Sequence, residues 1–456
     1  MGRLFGTDGI RGIANVDLTA EFAMHIGRAA AEVLTEGRRR RPIVVIGKDT
    51  RISSDMLESA LTAGLCSVGA DVISIGVMPT PAVAYLVGKY KADAGVMISA
   101  SHNPYPFNGI KIFSGDGFKL PDDLENQIEA LLLDDEKTAE LATQAELGRV
   151  SVVKNAARDY IEHLKSTVPF CLDGLHIAVD CANGSASVTA KELFAELGAK
   201  AEIISASPSG ININDACGST HLDAVRAYVL EHKLDAGIAL DGDADRCLCV
   251  DEKGNIVDGD FIMAICAVDM KARGKLRHDT VVGTIMANMG FAKCCEENGI
   301  RFVSTKVGDR YVLEEMEMED YRFGGEQSGH VIFRDFATTG DGQLTAVQLL
   351  CLMKRCGKPL SELANVMHRY PQVMKNVTVS KEGKLAFYNN DAIKEAIEQD
   401  KERLADDGRI VVRVSGTEPL VRVMVEGKNE DAIANAAERI TVKINERIHC
   451  CGFTNY

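Results

Sequence analysis

Residues 236–246 read A-G-I-A-L-D-G-D-A-D-R. The uncharged run Ala236–Leu240 predicts a strand buried on both faces, and three acids at alternate positions follow its carboxyl end. Gly242 and Ala244 leave room for Asp241, Asp243 and Asp245 to turn their oxygens towards one point, and such a set suits a hard cation such as Mg²⁺. An EF-hand is excluded. Glu252 is the twelfth residue from Asp241, but Arg246 takes the sixth place, where that loop needs Gly. Alone, the stretch is either a metal loop or a solvated acidic turn.

The same unit, a short apolar run breaking into a polar loop, occurs on either side. Residues 94–98 predict a strand that ends in Ser99-Ala-Ser101-His102-Asn103-Pro104, and 321–324 a strand that ends in Gly324-Gly-Glu326-Gln-Ser328-Gly-His330. Upstream, 44–46 and 71–75 read as strands, and 54–68 and 81–90 as helices. A second block has strands at 175–180, 200–205 and 235–240, with helices at 186–197 and 222–232. A third has strands at 280–285 and 301–305, with helices at 289–299 and 307–316. From about residue 370 the pattern changes to a small α+β segment, with strands at 375–379, 409–414 and 421–426. The expected fold class is therefore α/β: three consecutive α/β domains with mixed, mostly parallel sheets (1–155, 156–257, 258–368), then a smaller C-terminal α+β domain (369–456).

Asn103-Pro104 predicts a turn that leaves Ser101 exposed at the mouth of its strand, where a hydroxyl can act as nucleophile or carry a phosphoryl group. It is equally an ordinary turn by itself. Lys111, in the strand-like 109–113, can return a cation to that mouth. Glu326 and Ser328 can bind sugar hydroxyls or an amine, and His330 can donate a proton. Between two strands lies Arg413-Val-Ser415-Gly416-Thr417-Glu418-Pro419, with Arg422 beyond. Its backbone amides, hydroxyls and guanidinium forks read as an anion nest or as a polar hairpin turn.

The 456 residues carry 51 basic and 66 acidic side chains, a net charge of −15, which repels nucleic acid and anionic membranes. An anionic substrate then requires local cations, and Arg11, Lys111, Arg246, Lys306, Arg310, His330, Arg413 and Arg422 all lie in or beside the special loops. Thirteen cysteines show no zinc spacing and no C-x-x-C pair, so reduced thiols and a cytoplasmic setting are expected. There is no run of about 18 apolar residues to span a membrane.

Taken together, the loops resemble the α-D-phosphohexomutase family over essentially the whole chain. The resemblance also includes Phe5-Gly-Thr-Asp-Gly-Ile-Arg11-Gly12, Gly47-Lys-Asp-Thr-Arg51 and Val307-Gly-Asp-Arg310. It implies four domains around a central cleft and a phosphorylated Ser101. It implies one Mg²⁺ held by Asp241, Asp243, Asp245 and a Ser101 phosphate oxygen. Arg11, His102, Lys111 and Arg246 are implied to surround the transferring group, with Lys111 and His330 as acid/base helpers. Lys306, Glu326 and Ser328 would hold the sugar, and Arg413, Ser415, Gly416, Thr417 and Arg422 the phosphate that is not reacting. Gln327 is the cue for the branch acting on glucosamine phosphates, whose product feeds UDP-N-acetylglucosamine synthesis. Glucosamine or glucose 1,6-bisphosphate is the implied activator, and the resemblance allows a homodimer. Ala287 departs from the Ser expected there. Two rival readings keep part of the pattern: a phosphomannomutase/phosphoglucomutase, and a phosphatase with Asp241 as nucleophile. A non-catalytic phosphosugar binder is opposed by the intact Ser101 and Asp241 loops.

Overall fold

Each continuous apolar run becomes a fully buried strand, as at Ala94–Ile98 and Ala236–Leu240, because helices cover both faces of a parallel sheet. The computed structural model describes residues 4–6, 8–35, 41–134, 140–415 and 419–449. Its first sheet contains β1 (Ile10–Ile13), β2 (Ile43–Lys48), β3 (Asp71–Val77), β4 (Ala94–Ile98), β5 (Phe107–Ser114) and β6 (Val150–Val152), in the order β1-β5-β4-β2-β3-β6. The second contains β7 (His176–Asp180), β8 (Lys200–Ile204), β9 (Ala236–Leu240), β10 (Cys247–Asp251) and β11 (Ile256–Val257), in the order β11-β10-β9-β7-β8. The third contains β12 (Thr280–Thr284), β13 (Arg301–Thr305), β14 (Phe323–Gly325) and β15 (Val331–Phe333), in the order β13-β12-β14-β15. The fourth, β16 (Gln372–Thr378), β17 (Gly408–Val414) and β18 (Leu420–Gly427), is antiparallel throughout, with order β16-β18-β17.

The first three sheets share one design. Parallel strands make the interior, and the last of them turns back into an antiparallel neighbour: β4 into β5, β9 into β10, β14 into β15. The three connecting loops are the Ser101, Asp241 and Glu326 loops. They leave the carboxyl ends of parallel strands, where open α/β sheets place their ligands.

The chain forms two compact units. One comprises Met1–Thr284 with Ile300–Val366; the other comprises Ile285–Gly299 with Met367–Tyr456. In the second, the helix Glu430–His449 lays Ile433, Ile440, Ile444 and Ile448 on Val421, Val423 and Val425 of the sheet, a separate apolar core. Asn288 joins its part of that unit to the rest by donating to Tyr370 O and Glu426 Oε1.

The helix expected over 186–197 is instead a short 3₁₀ turn, Ser185–Val188, followed by the α-helix Ala190–Glu196. Its start leans on the acidic loop, with Ser185 N–H donating to Gly242 O at 2.8 Å, and Thr189, at φ −122°, breaks that turn from the helix that follows. Ala287 is buried, and its carbonyl accepts from the Arg409 guanidinium. The eleven described cysteines are free thiols, and no described helix is long and apolar enough to cross a membrane.

Candidate active site

Ser101 is 1% exposed, not open at the strand mouth as the Asn-Pro turn predicts. The reason is tertiary. The Asp241 loop closes over it, and a Cβ on Gly242 would come within 2.6 Å of Ser101 O, so only glycine permits the approach. Ser101 itself sits at φ +52°, a left-handed conformation that costs a non-glycine residue on the order of 1 kcal/mol or more. Its hydroxyl donates to Asp241 Oδ2 at 2.6 Å, and His102 Nδ1 lies 3.3 Å from the same Oγ.

Arg51 and Asp49 hold this geometry. Asp49 accepts from Arg51 Nε and from Ser99 Oγ, and Ser99 Oγ in turn accepts from Ser101 N–H. The Arg51 guanidinium also donates to the carbonyls of Ser101, Asn103, Pro104 and Phe107. Asn214 adds a bond from its amide to Ser101 O at 2.9 Å.

Asp241, Asp243 and Asp245 are buried and offer one oxygen each within 4.8 Å of one another. Asp243 Oδ1 and Asp245 Oδ1 are buried with no hydrogen-bond partner, a costly state for carboxylate oxygens. Three converging carboxylates, two of which keep an unsatisfied oxygen, fit a divalent cation. The start of the helix Thr80–Lys89 supports the loop, with Thr80 N–H donating to Asp243 O at 2.9 Å and Thr80 Oγ1 to Asp243 Oδ2 at 2.6 Å. Burial and the neighbouring Asp245 and Asp243 push the Asp241 carboxyl well above its usual range. Burial also works to raise Asp245, but Lys111, His330 and Arg246 outweigh it and hold its carboxyl well below that range.

Lys111 does reach this cluster. Its strand pairs Lys111 with Met97, and Nζ stands 2.8 Å from Asp243 Oδ2, 3.3 Å from Asp245 Oδ2 and 3.0 Å from Asp8 Oδ2. Burial works to lower its pKa, yet these three carboxylates raise it well above the ordinary lysine value, so it is a fixed ammonium. Arg11, on β1, pairs with Asp8 and keeps a buried Nε without a hydrogen bond; Arg246 Nε is also buried without a hydrogen bond, 3.9 Å from Asp245 Oδ1. His102 is lowered to about 4 by burial and by Arg246 and Arg11, so it is neutral at pH 7. His330 is buried between Asp245 (Nδ1–Oδ2 3.7 Å) and Asp309 (Nε2–Oδ2 3.5 Å). Burial lowers its pKa, and these carboxylates reverse the shift to a net rise.

On the next loop, Glu326 Oε1 accepts from Gly308 N–H at 3.1 Å, and Ser328 Oγ is buried without a partner. Burial and Asp309 raise the Glu326 carboxyl. Lys306 is exposed, and its ammonium lies 5.8 Å from the Tyr311 ring centroid. The Arg310 guanidinium is held by Asp122 and Glu125. In the second unit, Arg413 and Arg422 are paired across β17 and β18, and Ser415 is buried with its N–H on Leu420 O. Gly416 and Thr417 lie outside the described residues.

Sequence reading assigned no role to Asp8, Lys119, Asp309 and Thr80. Lys119 bridges Asp8 (2.6 Å) and Asp309, which links the turn before β1 to His330 through alternating charges. Two of these four stand in quoted motifs, Asp8 in Phe5–Gly12 and Asp309 in Val307–Arg310; nothing local marks the other two.

The chain matches, in order, the phosphoglucomutase/phosphomannomutase alpha/beta/alpha domain I over residues 2–139, domain II over 158–254, domain III over 258–370 and the C-terminal domain over 374–442. It is 55% identical over 449 residues to the phosphoglucosamine mutase of Caldanaerobacter subterraneus subsp. tengcongensis, covering 98% of this chain and 100% of that protein. It is 51% identical over 447 residues to that of Clostridium novyi, covering 98% and 99%. Among solved structures, a phosphoglucomutase/phosphomannomutase family protein of Burkholderia thailandensis shares the fold with a TM-score of 0.82 at 24% identity, covering 97% of each chain. The N-acetylphosphoglucosamine mutase of Aspergillus fumigatus, solved with GlcNAc-6P and magnesium, gives 0.69 at 16% identity, covering 97% of this chain and 96% of that one. A buried serine against three aspartates, four domain matches in series and full-length identity above one half agree: the chain belongs to the phosphohexomutase family, among the phosphoglucosamine mutases.

Proposed function

We propose that this phosphosugar mutase interconverts glucosamine 6-phosphate and glucosamine 1-phosphate through a phosphorylated Ser101. The observation that carries the reading is the Ser101 hydroxyl, 2.6 Å from Asp241 Oδ2, beside two buried and unsatisfied carboxylate oxygens. Asp241, Asp243, Asp245 and a phosphoserine oxygen would hold one Mg²⁺, which supplies Lewis acidity and charge neutralisation at the phosphoryl group.

In the first half-reaction the bond from Ser101 Oγ to phosphorus breaks as the sugar 1-hydroxyl oxygen bonds to it. The hydroxyl gives up its proton to the protein, and Oγ regains one. Glucosamine 1,6-bisphosphate results. It turns end for end, and Ser101 Oγ takes the phosphoryl from O6, which is released as a hydroxyl. His102 Nδ1, 3.3 Å away on a neutral ring, is placed to take and return the proton at Oγ. Lys111, Arg11 and Arg246 offset the charge of the phosphoryl oxygens, and phosphoserine brings about −2 of it. Lys306, Glu326 and Ser328 are assigned to the sugar. Arg413, Ser415, Gly416, Thr417 and Arg422 are assigned to the phosphate that is not reacting. A hexose 1,6-bisphosphate, of glucosamine or glucose, would load Ser101 at the outset.

Intact mass and glucosamine 6-phosphate turnover with Mg²⁺ test this in wild type and Ser101→Ala. The expected result is a species about 80 Da heavier (one phosphoryl), mapped to Ser101, with turnover abolished in the variant. Phosphate on an aspartate, or full turnover without Ser101, overturns it.

A further inference from the structure

The loop Glu326–His330 is gripped by the first turn of the helix Gly259–Ala272. Gly259 N–H donates to Gln327 O at 3.1 Å, and a Cβ on Gly259 would lie 2.1 Å from Glu326 O, so helix and loop backbone are in direct contact. Asp258 caps the helix by accepting from Phe261 N–H. Asp260 is fully buried, and its Oδ2 accepts from Gln327 Nε2 at 3.0 Å.

That one bond fixes the sense of the Gln327 amide. A carboxylate only accepts, so the NH₂ must face Asp260 and Oε1 must face away. The side chain is half-buried, and no protein donor reaches Oε1 among the described residues. Gln327 thus presents a fixed acceptor on the loop that also carries the Glu326 carboxylate and the unpartnered Ser328 hydroxyl.

We propose that Asp260 is a positioning residue for amino-sugar selectivity, locking the Gln327 amide so that Oε1 accepts a hydrogen bond from the 2-amino group of the substrate. The inference rests on the amino-sugar mutase reading above. A 2-hydroxyl can donate or accept, so either sense of the amide satisfies it. An ammonium has only donors, and only the oxygen satisfies it. A locked acceptor is pre-organised for the amine, whereas an amide free to reverse must first be turned by the ligand, a cost of up to about twofold. The charge of Asp260 acts in the same direction.

In Asp260→Asn the new amide can donate or accept, so Gln327 is free to take both senses. The Mg²⁺-loaded, phosphorylated enzyme is assayed for the KM of glucosamine 6-phosphate and for the inhibition constant of glucose 6-phosphate as a competing ligand. The expected result is a rise of about fivefold in that KM, as the amide loses its fixed sense and the ammonium loses the nearby negative charge. The glucose 6-phosphate constant is expected to move by less than about twofold. Gln327→Met, on a half-buried side chain, should reproduce the loss of selectivity, and the double variant should be no worse than Gln327→Met alone. A merely structural Asp260 weakens both ligands alike or adds its effect to that of Gln327→Met, and either outcome overturns the proposal. The two readings fail separately. If wild type does not turn over glucosamine 6-phosphate, the assigned function falls. If it does, and Asp260→Asn keeps the preference, only this inference falls.

Discussion

Arg51 uses all five of its N–H donors inside the protein: one on Asp49 and four on the carbonyls of Ser101, Asn103, Pro104 and Phe107. Those carbonyls belong to the loop that carries the nucleophile. They point at one guanidinium because the chain turns around it, which holds Ser101 at φ +52°. The strain at Ser101 and the saturation of Arg51 are therefore one arrangement seen from two sides. Lysine offers three donors from a point, and cannot reproduce a planar fork. Arg51→Lys is expected to lower kcat about 100-fold, since a shift of about 1 Å at a reacting atom has that effect. KM, set by other loops, should change much less. Steady-state kinetics with glucosamine 6-phosphate check this, and an unchanged kcat would show that the loop keeps its shape without the fork.

The hairpin-forming loops are the unit of construction at the next scale. Each of the first three sheets sends a parallel strand into an antiparallel one, and the polar loop between them faces its counterparts. A helix start supports each loop. Thr80–Lys89 donates to Asp243, and Gly259–Ala272 grips Gln327. Behind His330 stands Gly342–Cys356, capped by Asp341. Asp341 accepts from Leu344 N–H and from the Tyr160 hydroxyl, and burial raises its carboxyl from 3.8 to about 6. A raised folded pKa means that the native state binds more protons, so stability is full below pH 4 and declines as pH rises through 6. Asp341→Asn keeps an oxygen for Leu344 and turns its NH₂ to the tyrosine oxygen. The variant is expected to gain on wild type by about 3 kcal/mol between pH 4 and pH 7, from the shift of about two units. Urea unfolding at both pH values measures the gap, and a constant gap would mean Asp341 titrates normally.

Much of this scale is legible in the sequence. Ala94–Ile98 and Ala236–Leu240 are continuous apolar runs, and a strand buried on both faces has little other way to be written. The three aspartates are legible because their spacing is local. The burial of Ser101 is not, because it depends on Gly242 arriving from a strand about 140 residues away. Lys119 and Thr80 are silent for the same reason: their partners, Asp309 and Asp243, are distant in the chain.

The two units each have their own apolar core, but their boundary does not follow the order of the chain. Ile285–Gly299 belongs with the C-terminal unit, although its helix reads in sequence as part of the third α/β block. Glu426 explains the capture. Fully buried, it accepts from Asn288 Nδ2 at 2.9 Å, Met289 N–H at 3.2 Å and Arg409 Nε at 2.7 Å. Arg409 in turn donates to Ala287 O, so one carboxylate and one guanidinium tie the start of the helix Met289–Glu297 to β17 and β18. Burial raises the Glu426 carboxyl, and Arg409, Met289 and Asn288 act to keep it ionised. Removing it leaves a guanidinium and two amide donors without their acceptor. Glu426→Ala is expected to destabilise the C-terminal unit by about 3–5 kcal/mol, the cost of orphaning a buried charge partner. Hydrogen exchange by mass spectrometry gives the spatial pattern. Faster exchange is expected in Met289–Glu297 and in β16–β18, with β9 and the Asp241 loop as protected as in wild type. If Met289–Glu297 keeps its protection while β16–β18 lose theirs, Glu426 is not what binds that helix, and the capture rests on apolar packing instead.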